Sequence, residues 1–128
     1  MFNEIKTTND IQTFLEKTNA LHDGYIIGVR YAHHGISKIE DGYYFEPNKT
    51  KLILQVLVTS IWDTVAEIEF EGLFEWQIQN NQSDIFHAFV TFDEDNRIVW
   101  SDDAYVNMDE VKSGSYAIAL SMKWRIVE

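Results

Sequence analysis

After Gly24 the chain is written largely in a period of two, and that pattern restricts its fold more than any other feature. Successive side chains of a strand point to opposite faces, whereas those of a helix return every 3.6 residues. Tyr116, Ile118, Leu120, Met122, Trp124 and Ile126 form the longest alternation, with Ala117, Ala119, Ser121, Lys123 and Arg125 between them. Thr64, Ala66, Ile68 and Phe70 alternate with Val65, Glu67, Glu69 and Glu71, which puts three glutamates on one solvent face. Tyr25, Ile27, Val29 and Tyr31 are expected to share a face. Leu52 to Thr59 is apolar on both faces except at Gln55, the pattern of a central strand covered on both sides.

Shorter strands complete the reading. Phe74, Trp76 and Ile78 alternate after Gly72, and Asn80 to Ser83 form a polar turn. Ile85 to Phe92 and Arg97 to Ser101 read as a hairpin closed by Asp93-Glu94-Asp95-Asn96. Residues 33 to 50 read as a loop or irregular hairpin, with a short strand at Tyr43 to Phe45. Only one segment has helical spacing: Ile11, Phe14, Leu15, Thr18 and Leu21 predict a helix over Asp10 to Leu21, capped by Asn9 with Gln12 three residues on, and closed by His22-Asp23-Gly24. One helix followed by hairpin-linked strands predicts an α+β fold, with the N-terminal helix packed on a curved, mainly antiparallel sheet of six or seven strands. No linker or repeat divides residues 1 to 128, so one domain is expected.

Charge is distributed by region. Between Asp63 and Glu110 stand thirteen carboxylates against Arg97 alone, which accounts for the net charge of −11. Such a field repels nucleic acid and anionic lipid and attracts basic proteins or metal ions. The absence of cysteine excludes disulfides, thiolate metal sites and cysteine nucleophiles. The first twenty residues lack a secretory pattern and no apolar run is long enough to span a bilayer, so a cytoplasmic location is expected.

No catalytic or cofactor motif can be drawn through the residues: there is no phosphate-binding glycine loop and no nucleophile elbow. Counted from Asp93, a calcium loop fails at Arg97, Ile98 and Ala104. His22 beside Asp23 reads either as turn chemistry at a helix end or as a carboxylate-oriented imidazole. His33 and His34 read as loop residues or as ligands of a metal, the latter only on irregular backbone, and His87 as a half-buried strand residue. The stripe Glu67, Glu69, Glu71, with Glu75 beside it, is either a solubilising face or a docking face for a cationic partner. Asp102 and Asp103 with Asp109 and Glu110 read as a solvated acidic loop or as loose ligands of a divalent cation. Tyr25, Tyr31, Tyr43, Tyr44, Phe45, Trp62 and Trp100 either fill the core or floor a ligand cavity.

The opening, an amphipathic helix running into Leu21-His22-Asp23-Gly24-Tyr25-Ile26 and then strands, resembles small uncharacterised bacterial proteins in which a helix, a Leu-His-Asp step and a β-meander follow in that order. Some of these look like immunity proteins that bind and block a toxin. The resemblance implies a bacterial origin and a binding role; no cofactor is expected, because no glycine-rich phosphate loop can be drawn. The charge leads to the same expectation: a non-enzymatic acidic protein engaging a basic protein partner through Glu67, Glu69, Glu71, Glu75, Asp102 and Asp103. The alternatives are a small-ligand or metal-binding domain using His22, Asp23, His33 and His34, and a homodimer joined at a strand edge or through the Tyr116 to Ile126 strand.

Overall fold

The structure, a computed structural model, describes residues 1–79, 84–104 and 107–127. It has the expected α+β architecture: helix α1 (Thr8–Lys17) covers one face of a seven-stranded antiparallel sheet. The sheet runs β2 (Gly24–His33), β5 (Thr50–Val58), β6 (Thr64–Gln77), β9 (Tyr116–Val127), β8 (Ile98–Ser101) and β7 (Phe89–Phe92). A short first strand, β1 (Asn3–Ile5), also pairs with β9. Strands β3 (Ile36–Ile39) and β4 (Gly42–Phe45) form a separate hairpin, and α2 (Met108–Val111) is a single turn before β9. The twelve residues of β9 hold β6 along one side; the other side is long enough for β8 at one end and β1 at the other.

Burial of the alternating positions joins these elements. Leu52, Leu54, Val56 and Val58 of β5, Ala66, Ile68 and Phe70 of β6, and Met122 and Trp124 of β9 share one cluster with Ile11, Phe14 and Leu21 from the α1 region. Phe14 meets Trp124 edge to face, ring centres 5.5 Å apart, which seats the helix on the sheet.

Several local expectations are corrected. The cap of α1 is Thr7, not Asn9, and Asp10 completes the capping box that Gln12 was expected to supply. The helix stops at Lys17 because Thr18 turns its hydroxyl onto the Phe14 carbonyl and Asn19, Ala20 and Leu21 take left-handed backbone. Gly24 is not left-handed; it is needed because a Cβ there would lie 2.6 Å from the Leu21 carbonyl oxygen and 2.9 Å from Val56. Strand β5 lies second from the edge, and the centre of the sheet is β6 with β9. Strand β6 does not end at Gly72: it bends there with φ +72 and slips one residue between Leu73 and Glu75. That slip leaves Phe74 exposed while Trp76 and Ile78 pack against the core. Ile85 makes only an isolated bridge to Gly24, and the regular strand begins at Phe89. The turn expected at Asn80 to Ser83 lies outside the described residues. A second bulge, between Ile26 and Gly28, breaks the expected face of β2: Tyr25 sits opposite Leu57, whereas Val29 and Tyr31 sit opposite Leu54 and Leu52 on the core side.

Candidate functional site

The glutamates expected to line open solvent are instead partners within a cross-strand lattice. Strand β6 lies between β5 and β9, so Glu67 falls opposite Arg125, Glu69 opposite Lys123, and Glu71 opposite Lys51. Arg125 donates to Glu67 at 3.0 Å; Glu69 lies 3.2 Å from both Lys51 and Lys123; Glu71 lies 3.7 Å from Lys51. The Glu69 side chain is 9% exposed and that of Glu67 13%, whereas Glu71 keeps 45%. Burial pushes the Glu69 carboxyl up, but hydrogen bonds from Lys123 and Lys51 outweigh it and hold the group below its ordinary value. Phe2 closes this face from above, with Arg125 4.6 Å and Lys123 4.8 Å from its ring centre. The stripe is therefore a mixed-charge face and not a purely anionic one: neighbouring strands carry the counter-charges.

The rest of the acidic set behaves similarly. Glu75 accepts from the Tyr116 hydroxyl at 2.5 Å and lies 3.0 Å from Lys112, and these two contacts, in that order, lower its pKa. Burial and then the hydrogen bond to Glu75 push the Tyr116 phenol up to about 12. Asp93 and Asp95 clamp Arg97, whose guanidinium also covers Phe74 at 3.9 Å. At least six of the thirteen regional carboxylates are thus in ion pairs: Glu67, Glu69, Glu71, Glu75, Asp93 and Asp95. Asp102 and Asp103 follow β8, where the Asp102 amide donates to Ser115. They belong to the corner near α2, while Glu67, Glu69 and Glu71 lie on the far half of β6, so the predicted acidic set does not form one patch.

The four predicted polar or metal-site residues are also not brought together. His22 precedes β2 and His33 ends it, a separation of about 30 Å at strand rise. Nδ1 of His22 donates to the Phe86 carbonyl at 2.6 Å, and its Nε2 lies 3.7 Å from the Asp23 carboxylate. The Phe86 carbonyl orients the ring through Nδ1, and Nε2 faces the half-exposed Asp23 carboxylate beyond hydrogen-bond distance. His33 accepts from the Gly35 amide through Nδ1 and packs edge-on against Phe45, while the backbone of His34 joins Lys49. His87 is exposed outside the strands rather than half-buried within one. Among the described residues no three of His, Asp or Glu converge as metal ligands.

The prominent surface is apolar and was only faintly signalled. Between His33 of β2 and Thr50 of β5 the chain forms an arm, the β3–β4 hairpin, which is a separate sheet with no core to cover. All eight residues of β3 and β4 are exposed, with Ile36, Ile39, Tyr43, Tyr44 and Phe45 at 50 to 65%. Along β2, Tyr25, Ile27, Val29 and Tyr31 are 43 to 55% exposed. Tyr31 stacks on Trp76 at 5.7 Å, a flat aromatic step between the sheet and the arm. Trp62, 97% exposed on left-handed backbone, projects from the β5–β6 turn, whereas Trp100 is fully buried. The aromatics expected either to fill the core or to floor a cavity thus do neither as a group. The sequence signal was Tyr43-Tyr44-Phe45: three consecutive apolar residues cannot all be buried by a strand covered on one face.

Two shallow clefts flank the end of β1. One, about 190 Å³, is lined by Glu4, Lys6, Glu69, Glu71 and Lys123; the other, about 470 Å³, opens between β1 and β8 over Ile98, Leu120 and Phe92. Ser121 and Lys6 line both. Compared with protein families, curated proteins and solved structures, the chain finds no match.

Proposed function

We propose that this chain is a non-enzymatic protein-binding domain whose contact surface is the β2 edge with the β3–β4 arm. The observation that carries the reading is the run of nine large apolar side chains between Tyr25 and Phe45 exposed to water. Solvated sheet edges are normally blunted by charge, proline or short length. Strand β2 is ten residues long and bears Arg30 as its one fixed charge. Exposed apolar surface of this kind, here on both faces of the edge strand and on the arm, marks contact with another protein, and the edge beyond Gly24, where Ile85 bridges, can add main-chain hydrogen bonds to a strand laid against it.

A second reading, a basic partner, rests on the net charge of −11 and on exposed Asp109 and half-exposed Asp103 at the α2 corner. One experiment separates the two. Immobilised chain is challenged with extended apolar peptides and with basic proteins, at low and high salt, beside the variants Val29→Lys and Asp103→Lys. Apolar docking predicts capture of the peptides that survives salt and is lost in Val29→Lys. Capture of basic proteins alone, lost in salt and in Asp103→Lys, favours the charge reading. Equal capture by both variants and the parent removes both.

A further inference from the structure

We infer that the occupant of the β2 edge is a second copy of this chain, with two β2 strands pairing antiparallel about a two-fold axis at Tyr31. The inference rests on the protein-binding reading of that edge and adds the identity of the partner. Three observations carry it.

The first is charge. Residues 24 to 49 hold Arg30, Lys38 and Lys49 against Glu40, Asp41 and Glu46, three minus three, so this segment is neutral in a chain of −11. A cationic partner gains nothing from a neutral surface. A second copy meets no net charge there, and Glu67, Glu69 and Glu71 of the acidic region lie two strands in and are paired with Lys51, Lys123 and Arg125.

The second is register. The bulge between Ile26 and Gly28 leaves Gly28 to His33 as the regular part of β2. Pairing that run with itself about Tyr31 sets Tyr31 against Tyr31, Val29 against His33, and Arg30 against Ala32. No like charges oppose one another, and a two-fold axis through the sheet keeps the core side of one copy beside the core side of the other. Half-exposed Tyr31 then lies beside its own copy, and half-exposed Val29 beside His33. The chain beyond His33 is carried toward Tyr25 and Ile27 of the other copy, which accounts for an arm with both faces apolar.

The third is size. A stable interface uses about 20–30 residues on each side. Strand β2 offers ten residues, and the arm from 34 to 45 adds twelve, so the strand reaches that size only together with the arm.

The absence of native cysteine makes a direct test available. Residues facing each other across an antiparallel pair have Cα atoms about 4.5–5.5 Å apart, within disulfide reach. Under mild oxidation Tyr31→Cys is expected to become a covalent dimer, while Phe74→Cys, on β6 and more exposed, is not. Sedimentation of the parent protein is expected to give the mass of two chains. Tyr31→Lys and Tyr31→Glu, each checked for folding by circular dichroism, should weaken association roughly 100-fold, and mixing them should restore a dimer. A parent of single-chain mass at every concentration, a dimer that both charged variants leave intact, or equal cross-linking at Phe74→Cys overturns the inference. A monomer that still captures apolar peptides through β2 overturns self-pairing alone; loss of both activities overturns the binding reading too.

Discussion

Tyr116 is an apolar-pattern residue in the sequence and a titrating one in the fold. Its hydroxyl is buried against Glu75, so deprotonation would place two negative charges 2.5 Å apart. A raised folded pKa stabilises the protein fully below the unfolded value, 10.0, and that contribution is lost as pH rises toward about 12. Thermal melts are therefore expected to fall steeply in this window, and Tyr116→Phe should flatten the decline. An unchanged profile in the variant would show that Tyr116 does not control it. Side-chain pairing of this kind was not legible beforehand, because forty-one residues separate the two partners. Buried Trp100 is a related case: its Nε1 has no hydrogen-bond partner among the described residues, although its apolar burial fits the alternation around it.

At the scale of the element, β9 and the regular half of β6 were legible because long alternation admits one interpretation. The breaks were not. Gly72 sits where β6 bends, and sequence alone suggested a strand end. In the fold its φ of +72 combines with a close neighbour: an added Cβ would fall 2.7 Å from Leu120 Cδ1. Gly72→Ala is expected to cost about 1–3 kcal/mol through left-handed strain and this contact. Adding Leu120→Ala should recover only the Cγ and Cδ1 share of the contact, because the Leu120 Cβ at 3.0 Å and the backbone angle remain; chemical denaturation of the single and double variants measures both. The α1 cap moved by two residues for a comparable reason. Asn9 and Thr7 are both good caps, and only the Asp10 carboxylate reaching back to the Lys6 and Thr7 amides decides between them.

For the whole molecule, the acidic region is the instructive case. Thirteen carboxylates in forty-eight residues read as one negative face, yet antiparallel pairing sets β6 beside Lys51 on one flank and Lys123 and Arg125 on the other. Asp10, Glu69, Glu75 and Asp93 all titrate below their ordinary values, 3.8 for aspartate and 4.5 for glutamate. Depressed folded values give stability that is present above those ordinary values and lost as pH falls through the folded ones. Melting temperature is expected to hold from neutrality to near pH 5 and then to drop. Glu69→Gln should cost about 2 kcal/mol at neutral pH and make the acid slope shallower; a slope identical to the parent's would remove Glu69 from the account. By itself the sequence determined the class of fold, the one amphipathic helix and the long strands, since periodicity is a local property that each segment carries alone. Only the tertiary structure decided which charges neutralise which, that the histidines stay apart, and that an apolar edge remains open, because those depend on which strands become neighbours and in what register.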